Sequence, residues 1–229
     1  MHIAFDIRPL ARPTWTGIEN YVFQVAAHLP HVLAADDRLD WFAFSVGHRK
    51  VLRRLAADRL PRGPQARTRL IPLPAHLLHE LAPRTRLPGL GLLLGRPDVV
   101  HVSDGPVPEP RRIPLVATVF DLTPRIFPEQ FPARARAKFE TYFQLVRSRA
   151  RRVVVTSDSA KRDVQEHLGV PEDRISVTPL AADPRFRPID DEEAIRGVRR
   201  RLGVPERYLL FVGTSGPRKN LGTLLEAYA

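Results

Sequence analysis

The sequence predicts an α/β fold: a parallel sheet with helices on both faces, followed by a truncated second domain. Three observations carry this prediction. From Asp98 onward come four short β-rich runs, Asp98–Val102, Leu115–Phe120, Arg152–Thr156 and Arg174–Thr178, with helical segments Ala133–Arg149 and Ser159–Leu168 between the last three. The runs are largely apolar along their length, as expected of strands buried on both faces. The chain also enters an apolar run at once, Ile3–Ile7, and follows it with residues spaced as one helix face.

Ile3–Ile7 reads as the first strand. Pro9, Pro13 and Gly17 then mark a loop, and Ile18, Tyr21, Val22, Val25, Ala26 and Leu29 recur at helical spacing until Pro30 stops them. A strand, a glycine-bearing loop and a helix open many nucleotide-binding folds, in which ligands meet the carboxyl ends of the strands. Gly17 fits that role, and equally fits a flexible turn. Trp41–Val46 is the second expected strand and Arg49–Leu60 a basic amphipathic helix. Val51, Leu52, Leu55 and Ala56 are left for packing, while Arg49, Lys50, Arg53, Arg54 and Arg59 form a charged face. Such a face is ordinarily solvated; contact with an anionic membrane is the other reading.

Thr68–Leu73 is expected as a third strand, within a region rich in proline and glycine. Two patterns there imitate functional motifs. His76, His79 and Glu80 lie close together, but their order is not that of a zinc-binding HExxH helix, no third ligand is evident and prolines flank them. Gly89, Gly91 and Gly95 imitate a dinucleotide fingerprint, yet they precede a strand instead of following one, and read as the end of an apolar helix. Farther on, Ser157, Asp158 and Ser159 read as a helix cap. Pro179–Pro188, with three prolines and Asp183, reads as a hinge, and Glu192–Leu202 as a charged helix ended by Gly203-Val204-Pro205. The expected layout is residues 1–183 as the first domain, 184–206 as hinge and linker helix, and 207–229 as the start of the second.

That start is the most informative stretch. Tyr208–Val212 reads as a buried strand, Gly213, Ser215, Gly216 and Pro217 as a tight turn, and Asn220 as the cap of a helix running through Ala229. Arg218 and Lys219 lie at the mouth of that helix, where the dipole and free N–H groups already favour an anion. Two cations there cost energy unless an anionic ligand sits among them, which points to a phosphate or diphosphate site. The Walker spacing is absent, so this is not a P-loop. One strand and one helix cannot bury two faces, and the sequence stops within LLEAYA without a helix stop signal. A fragment is therefore expected.

Composition excludes more than it identifies. The absence of cysteine removes disulfides, thiolate zinc sites and cysteine nucleophiles. All but four of the 36 basic residues are arginine, giving a net charge of +11, but Arg, Ala, Leu and Pro rise together along the whole chain. No aromatic residues are interleaved with the cations as stacking platforms, so nucleic acid is not an expected partner. The start lacks a signal peptide's basic segment and cleavage site. A cytoplasmic location is expected, with peripheral contact on the inner face of an anionic membrane as an extension.

Four stretches together resemble the retaining glycosyltransferases of family 4, which have the GT-B fold of two facing Rossmann-like domains. GTSGPRKNLGTLLEAYA is similar to the opening of that family's second domain, and VTPLAADPRFRP to the hinge before it. VVVTSDSAKRDV is similar to its Ser-x-x-Ser-Lys/Arg helix start, and TGIENYVFQVAAHL to the segment after its first strand. The resemblance implies the N-terminal half of a GT-B fold, with Arg218 and Lys219 gripping the donor diphosphate above a turn shaped by Gly213 and Thr214. It implies that Gly17 lets the first loop approach the donor, with Glu19 near the place of a second family glycine. Where many members carry His-Asp, this chain has Phe120 then Asp121, so no catalytic imidazole carries over. Asp121 remains a candidate for positioning a hydroxyl or acting as base, or for capping its loop. The family's paired glutamates would lie beyond Ala229.

The implied activity is transfer of a hexose, of mannose or glucose type, from a nucleoside diphosphate sugar to a saccharide or lipid-linked acceptor, as in polysaccharide biosynthesis. Fixed cations would stabilise the departing diphosphate. No Asp-x-Asp motif occurs, and neither a metal nor another cofactor is expected. The alternative is a non-catalytic nucleotide- or phosphosugar-binding module.

Overall fold

The computed structural model describes residues 1–44, 46–61, 65–73, 90–107, 113–213 and 216–228. The chain forms two units, Met1–Pro179 and Leu180–Ala229.

The first unit is built on seven parallel strands: β1 (His2–Asp6), β2 (Arg38–Phe44), β3 (Ala66–Ile71), β4 (Val99–Val102), β5 (Leu115–Val119), β6 (Ala150–Val155) and β7 (Ile175–Val177). Their order is β3-β2-β1-β4-β5-β6-β7. The chain therefore works outward from β1 in one direction, returns beside it at β4, and works outward in the other. That reversal leaves a crevice beyond the carboxyl ends of β1 and β4, where α/β sheets bind ligands. The helices of this unit are α1 (Gly17–His28), α2 (Arg49–Asp58), α3 (Leu90–Leu93), α4 (Thr123–Ile126), α5 (Ala133–Arg149) and α6 (Asp158–Leu168).

Both faces of the sheet are apolar because alternate residues of each strand face opposite ways. On one face Ala4, Phe42, Val100, Val102, Ala117, Val119, Val153 and Val155 pack against Leu90 and Leu94, α5 (Tyr142, Phe143, Val146) and α6 (Ala160, Val164, Leu168). On the other, Ile3, Phe5, Leu39 and Trp41 pack against Val22 and Ala26 of α1 and Leu52 and Leu55 of α2. This two-sided burial is why the strands read as apolar runs. Ser157 caps α6 by accepting from the Ala160 N–H at 3.1 Å, and Gly169 ends it at φ +65°.

β2 and β3 begin two or three residues earlier than their apolar content suggests. The cause is a charge: Asp40 is fully buried in the middle of β2 and is ringed by His2 at 3.0 Å, Arg38 at 3.4 Å and Arg69. Paired charges can lie inside a sheet, and they disguise its strands in the sequence. Gly91 lies in the short helix α3 and Gly95, at φ +75°, follows it, as a helix end requires. Gly89 and the His76–His79–Glu80 group lie outside the described residues.

The second unit contains α7 (Glu192–Leu202), a 3-10 turn at Pro217–Lys219 and α8 (Leu221–Tyr228). The expected strand Tyr208–Val212 is not formed; these residues have no regular secondary structure and are exposed. A strand is stable only when a neighbour pairs its N–H and C=O groups. Among the described residues of this unit there is no second strand to do so. No helix among the described residues is long and apolar enough to cross a membrane.

Candidate functional site

The carboxyl edge of the first unit's sheet is densely charged. Asp6, the last residue of β1, is fully buried and accepts from the Arg8 backbone N–H at 2.9 Å, from its Nε at 2.9 Å and from its Nη2 at 2.7 Å. The same guanidinium donates to the Pro106 carbonyl at 2.8 Å and the Gly105 carbonyl at 3.3 Å, in the loop after β4. It also lies 5.7 Å from the Phe44 ring centroid. Arg8 thus spends its donors tying β1 to β4 across the switch point. It is a clasp, with little left for an incoming anion.

A second link runs parallel to it. Arg12, in the loop between β1 and α1, donates one end of its guanidinium to Glu19 and the other to Asp104, just beyond β4. Glu19 is 1% exposed. Its other carboxylate oxygen accepts from both the backbone N–H and the hydroxyl of Thr16 at 2.7 Å, closing a capping box at the start of α1. Burial pushes the Glu19 carboxyl up, but the Thr16 bonds and Arg12 outweigh it and leave the carboxyl below its ordinary value. Burial likewise opposes the charge on Arg12, and the two carboxylates overcome it. From the opposite side of the sheet Lys138 of α5 reaches within 3.6 Å of Asp104. It passes so close to Gly105 that a Cβ there would lie 2.7 Å from the Lys138 Cε, and Gly105 sits at φ +85°. The left-handed backbone favours glycine there, whereas the tip of the flexible lysine could move aside.

Gly17 is the first residue of α1, exposed, and an added Cβ would meet nothing within 4 Å. Space for close approach therefore exists above it. Glu19, standing where the resemblance anticipates a glycine, points inward to Arg12, so it does not block that space.

At the end of β5, Phe120 packs edge-on against Tyr21 of α1, ring centroids 4.9 Å apart at 88°. The Tyr21 hydroxyl lies 3.3 Å from the Thr118 hydroxyl, which also lies 2.8 Å from His101 Nε2. Burial pushes the His101 pKa down to about 4, so the ring is neutral at physiological pH. The Tyr142 hydroxyl donates to the Thr118 carbonyl at 2.7 Å, and burial, followed by the charges of Asp104 and Asp6, holds it well above its usual pKa. Asp121 is exposed; its Oδ1 accepts from the Thr123 N–H at 3.0 Å, leaving Oδ2 without a partner among the described residues. Capping of its own loop thus accounts for half of this carboxylate. Near this edge an open groove of about 630 Å³ is lined by Pro124, Ile126, Arg136 and the Arg125–Glu140 ion pair.

In the second unit, Arg218 and Lys219 are exposed and lie in the 3-10 turn immediately before α8. Asn220, at φ +49°, turns the chain into the helix and accepts from the Thr223 hydroxyl at 3.0 Å. Neither cation has a carboxylate partner among the described residues, and α8 has no acid in its first turn. A Cβ on Gly213 would lie 3.0 Å from the Phe211 ring, a tight contact, and 3.9 Å from the Lys219 Cε, an ordinary van der Waals distance. The structure thus brings Gly213 and Lys219 together, and puts Arg218 beside them in sequence. Thr214 lies outside the described residues.

Arg8, Arg12, Asp104 and Lys138 are site-edge residues that the sequence reading passed over. One signal was available: Thr16-x-x-Glu19 is a capping-box spacing. The Arg12–Asp104 link joins residues far apart in the chain and leaves no local pattern.

The chain is similar to several known proteins. It is 28% identical over 120 residues, 52% of its length, to the O-antigen chain mannosyltransferase B of Escherichia coli, and this match covers 32% of that protein. Two crystal structures of Anabaena Alr3699/HepE share its fold. The one in complex with UDP and glucose has a TM-score of 0.59 at 19% identity, covering all of this chain and 57% of that one. The one in complex with UDP-glucose has a TM-score of 0.53 at 18% identity, covering 91% of this chain and 51% of that one. The chain thus spans about a third of the curated relative and a little over half of the solved chains. The α/β, Rossmann-like sheet is that of GT-B glycosyltransferases. A family model described as Glycosyltransferase Family 4 matches residues 15–186, most of the first unit, and the chain belongs to that family.

Proposed function

We propose that the protein transfers a hexosyl group, of mannose or glucose type, from a nucleoside diphosphate sugar to a hydroxyl of a saccharide or lipid-linked acceptor. Membership of the family supplies the reaction class. The observation that carries the donor class is the unneutralised pair Arg218 and Lys219 at the head of α8, a place where cations are disfavoured without an anion. A mannosyltransferase among the relatives and a UDP-glucose complex among the fold neighbours support the same reading.

In this reaction the bond from the sugar C1 to the diphosphate oxygen breaks, and the nucleoside diphosphate leaves with the bonding electrons. The acceptor oxygen forms the new bond to C1, and its proton passes to a base. Arg218 and Lys219 stabilise the charge that develops on the leaving diphosphate, with Gly213 and Thr214 shaping the turn beneath it. Asp121 keeps one oxygen open to position the acceptor hydroxyl or take its proton. The space above Gly17 admits the donor to the start of α1. Residues 1–183 are the acceptor-side domain, its charged groove beside α4 and α5 suited to a polar acceptor, and residues 207–229 begin the donor-side domain. The configuration at C1 is retained, and no metal takes part.

A second reading, a phosphosugar-binding module without transfer activity, is favoured by one observation: the end of β5 carries Phe120, packed against Tyr21, where the family resemblance anticipates an imidazole. The two are separated by incubating the full-length protein with a panel of labelled uridine, guanosine and adenosine diphosphate hexoses. Slow release of free hexose from one donor supports the transferase. Saturable binding of a donor with no hexose released supports the module.

A further inference from the structure

We propose that the acceptor carries an anionic group, a phosphate or a carboxylate, and that the groove between α4 and α5 holds it through Arg125 and Arg136. This deepens the transferase reading and rests on it. The groove, about 630 Å³, falls within the range of small-molecule sites, roughly 300–1,000 Å³. Its lining divides by chemistry. Pro124, Ile126, Pro128 and Ala137 are apolar, whereas Arg125, Arg136, Glu140 and His167 are polar. Apolar atoms can take the C–H face of a sugar ring, while the few polar groups fix its substituents.

The charge in this groove is not closed. Arg125 donates one bond, from Nη1 to Glu140 Oε2 at 2.8 Å, which leaves its Nε and Nη2 without a partner among the described residues. Glu140 thereby fixes the guanidinium without using it up. Arg136 is exposed and has no carboxylate partner among the described residues, and the first turn of α5 holds no acid that could supply one. Two cations against one acid leave the groove positive. A guanidinium with free N–H groups presents a planar fork that fits a carboxylate or phosphate, and such charge-assisted bonds are roughly twice as strong as neutral ones. Lys138, on the same helix as Arg136, is the contrast: it is spent on Asp104 at 3.6 Å.

The position suits an acceptor. Asp121 Oδ1 accepts from the Thr123 N–H at 3.0 Å, and Thr123 is the first residue of α4, the short helix that also carries Arg125. One acceptor can therefore present a hydroxyl to the open Oδ2 of Asp121 and an anionic substituent to Arg125 at the same time. Arg136 closes on that substituent from α5. Arg218 and Lys219 belong to the second unit, so anion binding at the two places can be separated by substitution.

The test is ligand-observed NMR titration of the full-length protein with two matched pairs of probes, mannose 6-phosphate against mannose and glucuronate against glucose. At least one anionic probe is expected to bind about tenfold or more tightly than its neutral parent, and the pair that does so identifies phosphate or carboxylate. Arg125→Gln and Arg136→Gln are each expected to remove most of that advantage. Arg199→Gln, which takes the same charge from α7, is expected to change it by less than about twofold. Equal affinity within both pairs would overturn the proposal. An advantage that survives both groove substitutions would overturn it too, as would one lost instead in Arg218→Gln/Lys219→Gln, which would put the anion at the diphosphate site. The transferase reading fails separately, on the absence of hexose release from every donor by the same unaltered protein.

Discussion

Arg8 and Asp6, two residues apart in sequence, form a bidentate pair at the end of β1 in which the carboxylate is fully buried. Through the Gly105 and Pro106 carbonyls the same guanidinium holds the loop after β4. Removing it by Arg8→Ala leaves a buried charge without its partner, a change that costs about 3–5 kcal/mol. Urea denaturation of the variant is expected to show that loss. Arg8→Lys is expected to recover only part of it, because an ammonium cannot match the planar fork.

The Arg12–Glu19–Asp104 bridge makes a second prediction, in acid. Glu19 has a folded-state pKa below its ordinary value of 4.5, so its contribution is full above that value and is lost as the pH falls through the folded pKa. The unfolding free energy is expected to decline below about pH 4.5, and Glu19→Gln is expected to be less stable at neutral pH and flatter in this range. The same acid slope in both proteins would show that Glu19 contributes nothing to it.

His101 titrates in a separate window. Its folded pKa of about 4 lies below the ordinary 6.5, so protons favour the unfolded chain between those values. Stability is expected to be full above pH 6.5 and to fall toward pH 4, by up to about 1.4 kcal/mol per pH unit for this one proton. An NMR titration of the His101 ring is expected to show a midpoint near 4. A midpoint near 6.5 would mean that the ring is solvated and that the Thr118 contact does not hold it.

The sheet was legible because its strands are buried on both faces and punctuated by helices. Ala133–Arg149 and Glu192–Leu202 coincide with the helices formed, since periodicity and a flanking Pro132 or Gly203 mark their limits. Asp40 and Arg38 hid the start of β2, because a paired buried charge looks polar in sequence. Tyr208–Val212 was misread for the opposite reason. An apolar run records a tendency to pair, and pairing depends on a neighbour that the described unit does not contain. That Gly17, Arg218 and Lys219 lie at helix starts follows from local rules. The clasp at Arg8 and the Arg12–Asp104 bridge depend on β4 returning beside β1, a consequence of topology that no local spacing encodes.

The central claim is that Arg218 and Lys219 stabilise a departing diphosphate. The most direct test is hexosyl transfer by the full-length protein, comparing kcat for the unaltered enzyme with Arg218→Ala and Lys219→Ala. Each substitution is expected to reduce kcat by about 10²–10³-fold, as loss of a preorganised charge-stabilising group does, with the fold retained. Unchanged kcat in both variants would contradict the assignment.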